Sequence, residues 1–571
     1  MKQHSYTKVR NAQIVLSLLK AKGIKRVIVS PGTTNLSIVG SMMSDPYFEM
    51  YSAPDERSAA YMACGMASEN GDPVVLSCTG ATASRNYLPG LTEAYYRKLP
   101  ILALTSSLSI DRSGHLYPQF IDRTEQPKDC VNYSTQIFPI HCPEDEWNCV
   151  VKVNEALLEL YRNGGGPVHI NLMIEGEFSG FDVEKLPSVR EIKRYKIGDE
   201  LPAISGSRIA IMVGSHKKFT EKETNLIEKF CEKYNSVVFC DHTSSYYGKY
   251  KLQYSIVAAQ EIDDVNIMPD ILIHIGEVSG DYYTIGKLRK SQTVWRVSPD
   301  GEIRDYFRRL TKVFEMEESL FFGYYAQRGG EEIVNSYYID CAKLLSMAYE
   351  KLPDLPFSNI WIAQQLHDKL PSGSVIHFGI LNSLRAWNFF PLPQEVTSYC
   401  NVGGFGIDGA LSTLIGASLM NTSKLYFGVI GDLAFFYDMN SLGNRHVGKN
   451  LRILLVNNGK GTEFRNYTHP ASKFGEEADE YIAAARHYGN QSPILVKSYA
   501  ESLGFIYLSA KNKEEFGEAS LKFLNSGESS VIFEVFTDSA YESLALKAVR
   551  SMMTPTLKKI RHNVAAIIKG I

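Results

Sequence analysis

No stretch of this 571-residue chain approaches the ~18 consecutive apolar residues that a membrane-spanning helix needs. The first residues, Met1 to Arg10, are polar and lack the apolar core of a secretory signal. The nine cysteines are scattered and none is paired as CxxC, which argues against a disulfide framework. Neither sign of charge is in excess: Lys plus Arg total 60 and Asp plus Glu 63, a formal charge of −3. That balance argues against a general nucleic-acid binder and gives no support for attachment to an anionic membrane. No GxGxxG follows the first strand of the middle third, where Met212-Val213-Gly214-Ser215-His216 stands instead, so no bound FAD is expected. Short repeats and low-complexity tracts are also missing. The expectation is a cytoplasmic, multidomain enzyme with reduced thiols, acting on small molecules.

What is present is an ordinary globular composition, 44% hydrophobic and 22% charged, enough to build cores of normal size. At roughly 150 residues per domain the length predicts three or four domains. Apolar runs alternate with helical patterns throughout. Lys25–Ser30, Val74–Cys78, Ile101–Thr105 and Val168–Leu172 read as strands, with helices over Ala12–Lys22 and Arg57–Glu69. A polar stretch from Glu184 to Ser205 reads as a linker. Ile209–Val213, Val237–Cys240, Ile271–Ile275 and Val294–Val297 follow as strands. A charged stretch over Ala326–Glu332 leads to a last set, Val375–Phe378, Leu425–Ile430, Ile453–Val456 and Val531–Val535. Strands alternating with helices predict mainly parallel sheets in three successive α/β domains, over residues 1–185, 200–330 and 345–571.

The most informative motif is Gly431-Asp432-Leu433 followed by Asn457-Asn458-Gly459, each placed directly after an apolar strand. Asn458 lies 26 residues after Asp432. Two adjacent parallel strands bring both residues to one carboxyl edge, where open α/β sheets bind ligands. A carboxylate and an amide oxygen are hard ligands suited to Mg²⁺ or Ca²⁺. A helix starting near Ala434 points free N–H groups toward the same place, which suits a phosphate. Each half alone also reads as a simple strand end or turn. The pairing describes a metal–diphosphate site.

This pairing resembles the motif of the thiamine-diphosphate-dependent enzymes, and the resemblance extends over essentially the whole chain. It implies a pyrimidine-binding domain, a central domain and a diphosphate-binding domain, with thiamine diphosphate and Mg²⁺ as cofactors. It assigns the metal to Asp432, Asn458 and the carbonyl of Lys460. The glutamate that the family requires matches Glu56 in Pro54-Asp55-Glu56-Arg57-Ser58. There it hydrogen-bonds the aminopyrimidine N1′ and favours the tautomer that takes the C2 proton. Thr79, Gly80 and Asn86 match the pyrimidine side of the cofactor, and Gly404, Phe405 and Ile407 its middle. Ile407 is the apolar prop that keeps the cofactor bent. Gly431, Leu433, Gly461 and Thr462 match the diphosphate side. Because the family draws the two halves of one site from different subunits, a homodimer or homotetramer with cofactor at the subunit interface is implied.

Within the family the Asp-Glu-Arg-Ser run, Ser30-Pro31-Gly32, Glu93-Ala94-Tyr95-Tyr96, Gly406-Ile407-Asp408-Gly409, and Asp438 with Asn440 are similar to the menaquinone-pathway SEPHCHC synthases, which join 2-oxoglutarate to isochorismate. Three positions depart. Where those enzymes place arginines for substrate carboxylates, this chain has Thr34 (after Thr33), Trp387 and Val402. Arg385 sits near one of them as a partial replacement, Gln119 matches a substrate-contacting glutamine, and His115 is a candidate proton shuttle. Lys460 replaces a usual glycine. The expected reaction is decarboxylation of a 2-oxo acid with transfer of the acyl unit to an acceptor, on substrates other than those of SEPHCHC synthase. A decarboxylase releasing an aldehyde is the alternative, and a non-catalytic paralogue a more distant one that the retained Glu56 argues against.

Overall fold

The computed structural model describes residues 5–123, 125–175, 180–260, 268–328, 333–486, 492–525 and 527–554. It divides into two compact units, Met1–Asp199 with Gly301–Val313, and Glu200–Asp300 with Phe314–Ile571.

The first unit is built on a six-stranded sheet: β1 (Arg26–Val29), β2 (Glu49–Ser52), β3 (Val74–Cys78), β4 (Ile101–Ser107), β5 (Tyr133–Ile137) and β6 (Val168–Met173). All its pairings are parallel and the order is β2-β1-β3-β4-β6-β5. The pleat sends alternate residues into two cores. Val27, Leu102 and Leu104 join one, against Ile14, Leu18 and Val153. Ile28, Ile101 and Ala103 join the other, against Ala59, Ala60 and Ala63 of the helix Glu56–Asn70. Burial on both faces explains the uninterrupted apolar reading of the inner strands. The alanine face of that helix lies close to the helix Leu88–Arg97. A Cβ on Gly90 would stand 2.4 Å from Ala60 Cβ, so glycine is what lets the two meet.

The second unit holds two sheets. One contains β7 (Ile209–Val213), β8 (Ser236–Cys240), β9 (Lys251–Leu252), β10 (Ile271–Ile275) and β11 (Thr293–Ser298), in the order β9-β8-β7-β10-β11 and all parallel. The other is six-stranded: β12 (Val375–Phe378), β13 (Thr397–Cys400), β14 (Tyr426–Gly431), β15 (Leu451–Asn457), β16 (Ile506–Ala510) and β17 (Val531–Phe536). Its order, β13-β12-β14-β15-β17-β16, repeats that of the first unit strand for strand. In both six-stranded sheets the order reverses between the first and third strands. Ligands bind at the carboxyl ends flanking such a switch point.

Two predicted boundaries change. The stretch read as a linker, Glu184–Ser205, contains a strand at Lys193–Lys196. Of the charged stretch Ala326–Glu332, Ala326–Arg328 form the last turn of the helix Glu318–Arg328, and 329–332 lie outside the described residues. All nine cysteines are described and none is in a disulfide.

Candidate active site

In the second unit β14 and β15 pair in parallel with Gly431 opposite Val456, so Asp432 and Asn458 leave the sheet at the same edge. Asp432 is buried, and its Oδ2 accepts the Gly459 N–H at 2.9 Å. The helix begins at Asp432 itself and runs to Asp438, two residues earlier than the sequence suggests. Its second amide is not open: the Leu433 N–H donates to Asp432 Oδ1 at 2.9 Å. Asn458 Oδ1 is buried and has no hydrogen-bond partner. A buried acceptor left unpaired costs about 1–3 kcal/mol, a cost that a cation at this edge removes. Nothing lies within 4 Å of where a Cβ would stand on Gly431 or Gly404, which leaves room beside both. The residues therefore fit a divalent cation and a diphosphate.

The neighbouring Asn457 has a different task. Its amide donates to Glu534 Oε1 at 2.7 Å, and the Tyr507 hydroxyl donates to Glu534 Oε2 at 2.8 Å. Burial raises the Glu534 carboxyl above its ordinary range, against those two hydrogen bonds. Glu534 thus holds the loop from inside the sheet. Nothing in Val531-Ile532-Phe533-Glu534-Val535 signals this beyond a lone acid in an apolar strand. Asp438 is likewise structural, accepting the Ser412 N–H and hydroxyl, both at 2.6 Å, at the start of the helix Ala410–Ser418.

The Lys460 ammonium meets Asp479 Oδ2 at 2.6 Å, and Arg465 lies 3.2 Å from Asp479 Oδ1. Burial opposes ionisation of Asp479, but the two cations hold its carboxyl below the usual range. The Lys460 side chain is thus occupied, and its carbonyl accepts from the Thr462 hydroxyl at 3.4 Å. Gly461 donates its N–H to the Ala483 carbonyl at 2.6 Å. Ile407 is partly buried against the core under β14, and Phe405 takes a positive φ of 58° with its ring edge-on to Tyr282.

In the first unit the loops after β1 and β3 touch at the switch point. A Cβ on Gly32 would be 2.6 Å from Thr79 Cβ, so only glycine permits the approach. The Thr34 hydroxyl bonds the Ser106 carbonyl at 2.7 Å and Thr79 Oγ1 at 2.5 Å, tying together the ends of β1, β3 and β4. Thr33 is exposed beside it. Glu56 opens its helix behind the N-cap Asp55, which accepts the Ser58 N–H at 3.1 Å. Glu56 is half-buried and its Oε2 accepts from Asn86 Nδ2 at 3.3 Å. The Cys78 thiol at the end of β3 is pushed up to about 12, chiefly by burial and also by the Glu56 charge. Glu56, Thr79, Gly80 and Asn86 therefore share this edge.

Other candidates are not so placed. Trp387 is 1% exposed, packed on Phe378 in the core, with its carbonyl accepting from His242 Nε2 at 2.8 Å. Val402 is buried as well, 3.3 Å from where a Cβ on Gly280 would stand. Arg385 is paired with Glu463 Oε2 at 2.6 Å, so its charge is already met. His115 and Gln119 are exposed, the latter at a positive φ of 68°. Arg123, described below, was not singled out by sequence.

Residues 9–126 match the thiamine pyrophosphate enzyme, N-terminal TPP binding domain. The chain is 31% identical over 563 residues to the 2-succinyl-5-enolpyruvyl-6-hydroxy-3-cyclohexene-1-carboxylate (SEPHCHC) synthase of Bacteroides fragilis, covering 95% of this chain and 98% of that one. It is 30% identical to the synthase of the same name from Phocaeicola vulgatus and 28% to that from Flavobacterium johnsoniae, again across 95% of this chain and 98% of each relative. The chain belongs to the thiamine-diphosphate-dependent enzymes. Within them it is similar to SEPHCHC synthases from end to end, and it is an enzyme of the transferase and lyase type acting on a 2-oxo acid. Each of its two six-stranded sheets carries one of the two clusters described above at its switch point. Among the described residues no helix is long and apolar enough to cross a membrane.

Proposed function

We propose that this thiamine-diphosphate enzyme uses Mg²⁺ to decarboxylate a 2-oxo acid and transfer the acyl unit to an acceptor carbonyl or alkene, as a cytoplasmic homodimer or homotetramer. The observation that carries the reading is the orphaned, buried Asn458 Oδ1 on the loop whose next amide is held by Asp432. Asp432, Asn458 and the Lys460 carbonyl would hold the metal. Gly431, Leu433, Gly461 and Thr462 would line the diphosphate, and Gly404, Phe405 and Ile407 would support the middle of the cofactor. Bound thiamine diphosphate supplies a carbon nucleophile and an electron sink for loss of CO₂. Glu56, held by Asn86, would share a proton with the pyrimidine N1′.

The substrates differ, on this reading, from those of the SEPHCHC synthases. Thr34 is engaged with Ser106 and Thr79, and Trp387 and Val402 are core residues, so none offers a cation to a substrate carboxylate. A missing charged hydrogen bond costs about 1.5–3 kcal/mol, and losing two or three lowers kcat/KM on the order of 10²–10⁴-fold or more. The full-length similarity to synthases favours the competing reading, SEPHCHC formation itself. Purified protein with thiamine diphosphate and Mg²⁺ is given 2-oxoglutarate with isochorismate, and separately a panel of 2-oxo acids with and without acceptor aldehydes. The expected result is CO₂ release and ligated product from a panel member, with negligible loss of isochorismate. Isochorismate turnover near that of a dedicated synthase overturns the distinction. Aldehyde without ligation assigns the chain as a plain decarboxylase.

A further inference from the structure

Arg123 is 5% exposed at the cofactor edge of the first unit, and its Nη1 is buried without a hydrogen-bond partner. Among the described residues no carboxylate pairs with it. Burial, and to a lesser degree the neighbouring cation Arg85, lower the guanidinium to about 10, still charged at neutral pH, and the nearby Cys78 thiol, itself pushed up to about 12, is neutral there and supplies no counter-charge. Arg85 gives its Nη2 proton to a backbone carbonyl, that of Asp122, at 2.8 Å. His169, behind them, is buried and pushed down to about 3 by burial and by both arginines, so it is neutral and adds no counter-charge. A buried, unpaired charge is costly, and proteins retain one where a ligand supplies the partner.

The surroundings hold the backbone of this residue in place. Gln136 Nε2 donates to the Arg123 carbonyl at 3.0 Å, and Gln136 Oε1 accepts from Asn171 Nδ2 at 2.7 Å. Asn171 Nδ2 also donates to Ser107 Oγ at 3.0 Å, and the Thr105 hydroxyl donates to Asn171 Oδ1 at 3.0 Å. This buried chain across the ends of β4, β5 and β6 fixes the Arg123 backbone and leaves the guanidinium uncommitted. It borders a cavity of about 20 Å³, lined by Arg123, Gln119, Gln136 and Asn171 among others, room for one oxygen of a ligand seated on the guanidinium. The guanidinium itself turns to Gly80: its Nη2 lies 3.3 Å from where a Cβ there would be. A planar fork of donors beside a glycine suits the two oxygens of a carboxylate.

We propose that Arg123, with Arg85 behind it, is the seat for a substrate carboxylate that does not react. The proposal rests on the reading of the chain as a 2-oxo acid enzyme, and it places the cationic anchor where the sequence alone shows no sign of one.

The test begins with the full chain without cofactor, titrated calorimetrically with succinate and with butyrate as the monocarboxylate control. Wild type is expected to bind succinate and to prefer it to butyrate. Arg123→Gln should weaken succinate on the order of 10- to 100-fold. It should also keep or raise the Tm of the apo protein, because it removes an unpaired buried charge. Arg123→Lys, which keeps the charge but loses the fork, should fall between. In turnover, Arg123→Gln should raise KM for 2-oxoglutarate and leave KM for 2-oxobutyrate within about twofold. Succinate affinity unchanged in both variants, or a lower apo Tm with unchanged affinity, overturns the seat. The two readings fail separately: a chain that releases no CO₂ from any 2-oxo acid yet loses succinate in Arg123→Gln refutes the enzymatic reading alone.

Discussion

Asp432 and Asn458 do different work at the end of β14 and β15. Asp432 is already engaged by the Gly459 amide, whereas Asn458 presents a buried oxygen with no partner. On the proposed assignment Asp432→Ala should lose both a metal ligand and the hold on the Gly459 turn, and calorimetry in Mg²⁺ should show thiamine diphosphate weakened by at least about 10–100-fold. Asn458→Ala removes an unpaired acceptor, so the apo protein should be no less stable while cofactor affinity falls similarly. Unchanged affinity in either variant would remove that residue from the site. That both residues leave the sheet at one edge was legible from the sequence because each follows a strand buried on both faces. Glu534 and Arg123 were not, since a single charged residue in an apolar strand or a polar loop carries no pattern. Trp387 and Val402 were read as pocket residues because their positions matched lost arginines, and only packing shows that they turn into the core.

At the level of elements, the inner strands of the two six-stranded sheets and β7, β8, β10 and β11 were readable, whereas the strand Leu310–Glu315 and the edge strands were not. β2, β5, β9, β13 and β16 all lie at sheet edges. Tyr133–Ile137 and Ile506–Ala510 are only partly buried and mix polar with apolar residues, so they lack the continuous apolar run of β3 or β15. The helix Glu56–Asn70 places Glu56 through its cap. Asp55→Ala should destabilise the protein by about 0.5–2 kcal/mol in chemical unfolding and loosen the glutamate with it. The helix Ser539–Ser551 carries a different dependence. Glu542 is buried, accepts the Asn359 N–H at 3.0 Å and the Thr537 hydroxyl at 2.7 Å, and is raised to about 7 by burial and, to a lesser degree, Asp538. A carboxyl whose pKa is higher folded than unfolded binds its proton more tightly in the folded state. Its contribution is therefore fully present below the ordinary 4.5 and is lost as pH rises through about 7. Relative to wild type, Glu542→Gln should therefore gain in Tm as pH rises between those limits, while Asp281 and Glu534, also raised by burial, and His169, His242 and His377, lowered by it, keep their own contributions in both proteins. An unchanged pH profile would show that Glu542 titrates normally.

At the scale of the whole molecule, two six-stranded sheets with the same strand order each present a cluster at the reversal point: Glu56 with Asn86, Thr79 and Gly80 in one, Asp432 with Asn458 in the other. The proposal that one cofactor is shared between copies of the chain predicts a dimer or tetramer by light scattering, with one thiamine diphosphate bound per chain. A monomer with full activity would contradict it. The central claim is that Glu56 activates the bound cofactor, and hydrogen–deuterium exchange at thiamine diphosphate C2, read by acid quench and NMR, tests it most directly. Bound to the wild-type protein with Mg²⁺, C2 should exchange far faster than in free cofactor. In Glu56→Gln the cofactor should still bind, with exchange slowed by roughly 10²–10⁴-fold, because an amide cannot share a proton with N1′ as a carboxylate does. Exchange at the wild-type rate in Glu56→Gln would contradict the account.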